Sequence, residues 1–145
     1  MEKSKICNII CIVLMGLLLV LHFMPFWSYD GMTTSIQGYI WFPADHAPLE
    51  SYLAGQIGGD YSINSILLMP IMVLLTTVVG IVSSISMSDN LFVGILPLGC
   101  GLIGAVGYLS KAAFHLGTNW GLHLAVCVAL AAVAALKMFF LAKNE

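Results

Sequence analysis

The sequence predicts an all-α integral membrane protein whose four transmembrane helices form an up-down-up-down bundle, with a structured extracytoplasmic loop between helices 1 and 2. This prediction depends on four long apolar segments, which account for more than half of the 145 residues and contain no Asp, Glu or Arg. A helix rises ~1.5 Å per residue, so about 20 apolar residues cross the hydrocarbon core of a bilayer. The predicted spans are about 6–24, 63–87, 91–110 and 121–142, within a single membrane domain over 1–145.

Composition favours the same class of protein and limits the kinds of partner that it can bind. The chain is 60% hydrophobic and 8% charged, whereas a soluble domain is about 45–50% apolar and ~25% charged. Its net charge is −2, and it has no basic tract of the kind that binds nucleic acid. The expected partners are therefore the lipid bilayer and a second copy of the chain or another membrane protein, and not nucleic acid.

The lysines predict the orientation in the membrane. Four of the five lie near the two ends of the chain, and the connection 25–62 has none. Because basic residues concentrate on the cytoplasmic side, we predict a protein of the cell membrane with both termini cytoplasmic. Lys111 opposes this assignment because it lies at the outer end of the third span. Its long side chain can extend to the water at the outer interface. The lysines near the ends are Lys3, Lys5, Lys137 and Lys143.

The connection 25–62, here called the outer loop, is too aromatic for a disordered linker. Its segment Thr33–Phe42 is rich in β-branched and aromatic residues and predicts a strand or hairpin arm, with Gly38 at a bulge. Segment 45–55 predicts a helix, since Pro48 suits a first turn. We expect the loop to cap the outer ends of the helices and to present an aromatic interaction surface: Trp27, Tyr39, Trp41 and Tyr52.

Small residues predict which helices pack most closely. In lipid, faces with small residues three or four positions apart let two helix backbones approach and gain van der Waals contact. The third and fourth spans carry such faces, so they are expected to be the tightest pair. The residues assigned to this contact are Gly101, Gly104, Gly121, Ala125 and Ala129.

The connection between the second and third spans is short, as in antiparallel helix hairpins. It consists of Ser88, Asp89 and Asn90. Asn90 precedes the third span and is predicted to cap it with its side-chain oxygen.

Four cationic or titratable side chains are predicted to meet at one depth, near the outer membrane interface: His22, Lys111, His115 and His123. Ionisable residues in a membrane are costly and often functional. The group is interpreted either as a polar pocket that involves Asp60 or Tyr108, or as a set of interfacial anchors. A haem between two histidines is a further alternative, which requires imidazoles that face one another from two helices.

The chain has none of the familiar catalytic patterns, such as HExxH, GxSxG, CxxC or a P-loop. Its four cysteines all lie in apolar spans, where we interpret them as small core residues. We therefore predict neither an enzyme nor a cofactor or metal site.

The leading hypothesis is a non-enzymatic oligomer or accessory membrane subunit whose outer aromatic loop contacts a partner or itself. The alternative is a small oligomeric channel or transporter. Its mouth would be the acidic outer face, since an excess of one charge attracts the opposite ion. The acidic residues of the outer loop are Asp30, Asp45, Glu50 and Asp60.

One long loop after the first span, followed by short connections, resembles the arrangement of claudin-type tetraspan proteins. Trp27 and the segment Gly38–Trp41 are similar to the tryptophan-containing loop of that family. Those proteins have a cysteine pair in that loop, and this chain has no cysteine there. The resemblance therefore concerns arrangement, and it assigns neither membership nor residue roles.

Overall fold

The structure is a computed structural model that describes residues 2–29, 31–41, 51–53, 55–56, 63–87, 90–110 and 112–143. The protein is mostly helical, and four helices are long and apolar enough to cross a membrane. These helices support the predicted multi-pass membrane protein. They cover Lys3–Phe23, Met69–Ser86, Leu91–Ser110 and Trp120–Ala142.

The elements follow one another in a simple order. A long helix, α1, is followed by two short strands and a short helix, and then by the remaining long helices with short pieces between them. The first part of the chain contains α1 Lys3–Phe23, β1 Pro25–Tyr29, β2 Met32–Ser35 and α2 Ile36–Trp41. The second part contains α3 Ile63–Ser86, a 3₁₀ turn Leu91–Gly94, α4 Ile95–Ser110, α5 Ala112–His115 and α6 Trp120–Ala142.

Strands β1 and β2 form an antiparallel hairpin. Gly31 lies in its turn with φ of 76°, a left-handed conformation that glycine adopts without steric cost. The register shifts between Pro25 and Trp27, and both Phe26 and Trp27 are fully buried. An irregularity in a ladder can turn a side chain from one face to the other, which explains how two consecutive residues both enter the core.

The predicted strand over Thr33–Phe42 is wrong beyond Ser35, because the chain there turns into α2. The hydroxyl of Ser35 accepts a hydrogen bond of 2.8 Å from the backbone N–H of Gly38. Such a bond satisfies a free donor of the first helical turn and favours helix over strand. Gly38, predicted at a bulge, is instead buried inside α2.

Two further predictions for the connections can be placed. Most of the helix predicted over 45–55 lies outside the described residues, although 51–53 and 55–56 are helical. The cap predicted at Asn90 is present: its Oδ1 accepts a hydrogen bond of 2.9 Å from the N–H of Phe92 and begins the 3₁₀ turn.

The long helices enclose one apolar core. Helix α1 contacts α3 and α6, and α4 contacts the same two helices. His22, Tyr108 and His123 meet at one end of this group of helices, where the strands also lie, and we call it the hairpin end. Asn8 and Lys137 meet at the other end, near the chain termini, and we call it the terminal end.

Helices α4 and α6 make the close contact predicted for the third and fourth spans. A Cβ atom at Gly101 would lie 2.6 Å from the carbonyl oxygen of Cys127 and 2.7 Å from the backbone nitrogen of Ala131. Gly104 lies directly against the sulfur of Cys127. The two backbones therefore approach at a distance that only glycine permits.

The prediction that Gly121 and Ala125 of α6 lie in this contact is wrong. Gly121 has open space around the position of a Cβ atom, and Ala125 is exposed. Ala129 is half-buried. Spacing marked a small-residue face on α6, but helix rotation places Cys127 and Ala131 towards α4 instead.

Replacement of Gly101 with Ala tests this contact. We expect a lower thermal midpoint in detergent, because the new methyl group meets backbone atoms that cannot rotate away, and overpacking costs about 1–3 kcal/mol. The matched control is Gly99→Ala, since Gly99 has no neighbour within 4 Å of a Cβ atom. Equal midpoints for the two variants would contradict the close contact.

Candidate functional site

The hairpin end contains a buried cluster of polar side chains from four helices, which we call the hairpin-end cluster: His22, Gln37, Tyr108 and His123. His22 and His123 are each only 1% exposed, and the other two are fully buried. The hydroxyl of Tyr108 lies 3.1 Å from Nε2 of His22 and 2.7 Å from Nδ1 of His123. One hydroxyl group therefore bridges two imidazoles, one from α1 and one from α6.

Gln37 joins this cluster to the short helix α2. Its Nε2 donates to the carbonyl of Pro70 at 2.9 Å and lies 3.1 Å from Nδ1 of His22. Its Oε1 accepts from the indole N–H of Trp41 at 2.9 Å. A carbonyl only accepts and an indole N–H only donates, so these two neighbours fix which way the amide points.

The fixed amide determines the positions of the protons along the cluster. Because Nε2 of Gln37 donates, Nδ1 of His22 must accept, and its Nε2 carries the proton. That N–H donates to the hydroxyl of Tyr108, whose own proton goes to Nδ1 of His123. All donors thus point in one direction from α2 into the bundle, with both histidines neutral.

Aromatic rings surround the hairpin-end cluster on the side of the strands. The ring of Phe26 lies 4.9 Å from that of His123, and the ring of Phe114 lies 5.4 Å from that of Tyr108. Gly117 lies so close to Phe26 that a Cβ atom would overlap the ring. The backbone N–H of Thr118 donates to the carbonyl of Phe26 at 2.8 Å and holds β1 in place.

The predicted group of four is only partly assembled. His22 and His123 come together through Tyr108, whereas Lys111 lies outside the described residues. His115 is exposed, and its Nε2 donates to the backbone carbonyl of Tyr108 at 2.8 Å. The indole N–H of Trp120 donates to the same carbonyl at 2.8 Å. His115 therefore helps to complete the end of α4 and is not part of the buried cluster.

The geometry of His22 and His123 fits neither interfacial anchoring nor a haem between the two imidazoles. A residue that anchors a helix at the membrane interface contacts lipid headgroups and water. His22 and His123 are enclosed by protein, so neither is an anchor of this kind. A haem would have to lie between the two imidazoles, and the hydroxyl of Tyr108 occupies that space.

The predicted aromatic interaction surface requires a correction. Trp27 is fully buried, and its ring stacks on that of Phe114 at 5.9 Å, so it cannot present itself to a partner. Trp41 is 55% exposed and Tyr52 is half-buried. Tyr39 belongs to α2, and its side chain lies outside the described part of the structure.

A second buried polar group lies at the terminal end, and we call it the terminal-end cluster: Asn8, Ser84 and Lys137. The ammonium of Lys137 is fully buried and donates to Oδ1 of Asn8 at 2.6 Å. The amide of Asn8 donates to the carbonyl of Ser84 at 3.0 Å. The hydroxyl of Ser84 is buried without a hydrogen-bond partner among the described residues.

Sequence reasoning missed Gln37 and the terminal-end cluster. Gln37 lies in the segment that the sequence predicts as a strand, and that prediction gives its side chain no role. The charge of Lys137 predicts a residue near the cytoplasmic end, but Lys137 lies about five residues before the end of α6 and is buried. The available signal was the pairing of two rare residue types, since Asn8 and Lys137 are strongly polar residues inside apolar runs.

Comparisons with known proteins add no function. No protein-family model matches the chain, and neither the curated proteins nor the solved structures include a significant match. Among the described residues, no group of three or more His, Cys, Asp or Glu side chains is arranged to hold a metal ion.

Replacement of Tyr108 with Phe should destabilise the hairpin end. The change leaves an N–H of His22 and Nδ1 of His123 buried without their partner, and an unsatisfied buried group costs about 1–3 kcal/mol. We expect a lower thermal midpoint in detergent. A midpoint equal to that of the wild type would contradict the bridging role.

The terminal-end cluster predicts a coupled pair. Asn8→Leu should lower the thermal midpoint, because a buried ammonium loses an acceptor at a cost of about 1–3 kcal/mol. Adding Lys137→Met should raise the midpoint again, since replacing both partners with apolar groups removes the buried charge. A double-mutant cycle measures the coupling. Strictly additive losses would contradict the pairing.

Proposed function

We propose that this protein is a non-enzymatic membrane subunit, an oligomer or an accessory protein, that presents the outer loop to a partner chain. The observation that carries the proposal is the way α2 is held. Gln37 fixes this helix to α1 and α3 through two hydrogen bonds, while Trp41 in the next turn is 55% exposed. A large aromatic side chain on a fixed support is typical of the residues that dominate interfaces.

The polar groups at the hairpin end favour a structural role over catalysis. The members of the cluster bond to one another, and their functional groups are enclosed by protein. A catalytic group must reach its substrate. A cluster closed in this way instead fixes the relative positions of the helices that carry it.

In the proposed arrangement the protein lies in the cell membrane and its four long helices run up-down-up-down. Both termini are then cytoplasmic. The bond between Asn8 at the start of α1 and Ser84 at the end of α3 supports antiparallel neighbours. The exposed lysines Lys3, Lys5 and Lys143 support a cytoplasmic terminal end. The outer loop then faces out of the cell.

The orientation can be tested by labelling intact cells with an impermeant thiol reagent. We expect Thr33→Cys to react, because Thr33 is exposed on β2 at the hairpin end. Met87→Cys is the matched control, since Met87 is exposed after α3 at the terminal end and should react only after permeabilisation. The reverse pattern would overturn the orientation.

The interaction itself can be tested by photo-crosslinking in native membranes. A benzophenone amino acid in place of Trp41 should give a discrete protein adduct, either at twice the mass of the chain or with one other protein. The same group in place of Phe92 is the control, because Phe92 is an exposed aromatic residue towards the opposite end. An adduct pattern at Trp41 that matches the control would contradict an interface at α2.

The channel or transporter stays the alternative proposal. Its acidic mouth rests on Asp30, Asp45, Glu50 and Asp60, all outside the described residues. Ion flux through liposomes that contain the purified protein separates it from the leading proposal, since a subunit that only binds a partner gives none.

A further inference from the structure

The contact between α2 and the bundle requires one histidine in its neutral form. Gln37 offers an N–H to Nδ1 of His22 at 3.1 Å. The amide cannot simply turn over, because its oxygen is bound by the N–H of Trp41 and its nitrogen by the carbonyl of Pro70. A turned amide would oppose donor to donor at Trp41 and acceptor to acceptor at Pro70.

We infer that His22 is a proton sensor whose protonation releases α2 from the bundle. A protonated imidazole carries an N–H on both nitrogens. Its Nδ1–H would then point at the N–H of Gln37, and two opposed donors in a buried site replace a hydrogen bond with a repulsion. The biological role of this sensor rests on the proposed function, to which it adds regulation. The release of α2 itself requires no partner and is a property of this chain alone.

The other groups that face His22 do not act in the same way. Tyr108 of α4 accepts from Nε2 of His22 in either charge state. When His123 of α6 takes a proton, the oxygen of Tyr108 can accept from both imidazoles through its two lone pairs, and the O–H of Tyr108, not Gln37, loses its partner. Helix α3 contributes the carbonyl of Pro70, which does not titrate. Among the described residues, the conflict with Gln37 is therefore specific to His22.

The direction of the pH dependence follows from the linkage between proton binding and release. In the docked state the imidazole of His22 is neutral, whereas in the released state it can take a proton. Release of α2 is therefore coupled to the uptake of one proton. Docking is then strongest at alkaline pH and weakens as the pH falls through the range near and below about 6.5, where a free imidazole becomes charged. The effect is at most about tenfold per pH unit, as expected for one proton.

The test is hydrogen–deuterium exchange of the full-length protein in detergent, read at the backbone amides of α2 between about pH 8 and pH 5. Rates are divided by the intrinsic exchange rate at each pH to give protection factors. For the wild type we expect protection of Ile36–Trp41 to fall on acidification, while protection in the middle of α6 stays constant.

Two matched variants identify the sensor. His22→Asn places an amide oxygen near the position of Nδ1, so it can still accept from Gln37 but does not titrate, and protection of α2 should become independent of pH. His123→Asn keeps an acceptor for Tyr108 in the same manner and should retain the wild-type pH response. Should His22→Asn not fold, Gln37→Met removes the opposing donor, and the pH response should disappear with α2 weakly protected throughout.

Several results would overturn the inference. Constant protection of α2 in the wild type would exclude release by protons. A pH response that survives in His22→Asn, or that is lost only in His123→Asn, would place the sensor elsewhere. One that survives in Gln37→Met would contradict the opposed donors as the cause of release. These measurements need no partner chain, so their failure is distinct from failure of the crosslinking test at Trp41.

Discussion

A polar group inside an apolar bundle has no water to bind, so leaving it without a partner in the protein costs free energy. Tyr108 meets this constraint by donating to one imidazole and accepting from another. Its position between His22 and His123 joins α1, α4 and α6 at the hairpin end. Asn8 has the same role at the terminal end, where it accepts from Lys137 and donates to Ser84. The helices are thus held at both ends by directional bonds, with an apolar core between them.

The hairpin-end cluster also connects the long helices with the segment that follows α1. Gln37 is the one described residue of α2 whose side chain bonds to two other helices, and it does so through a single amide group. A change at His22 therefore reaches α2 directly, without a chain of small displacements. The way α2 is held is the basis of the proposed function. The link between the charge of a buried group and the position of an exposed aromatic residue is the basis of the proposed sensor.

Close packing of α4 sets the space in which the polar clusters fit. Gly101 and Gly104 bring its backbone onto α6, and Gly107 lies directly against Met69 of α3. Glycine gives up side-chain contacts of its own but lets larger side chains of the neighbours fill the space, which is a common route to helix association in lipid. The side chains that fill it come from Cys127 and Met69, so α4 is the central helix of the contact rather than one of two equal partners.

The sequence by itself determined the number and approximate bounds of the spans. The length of an apolar segment is a local property, and the thickness of the bilayer sets the length that a span requires. It also indicated Asn90 as a cap and Gly101 as a contact residue, since both depend on a few neighbouring positions. Only the tertiary structure decided the rest. Whether Trp27 is buried, whether α6 turns Cys127 or Ala125 towards α4, and whether Gln37 meets His22 depend on helix rotation and on contacts between residues far apart in the chain. A rotation of one helix by a single residue, about 100°, exchanges a buried face for an exposed one, and no local pattern in this sequence specifies that angle.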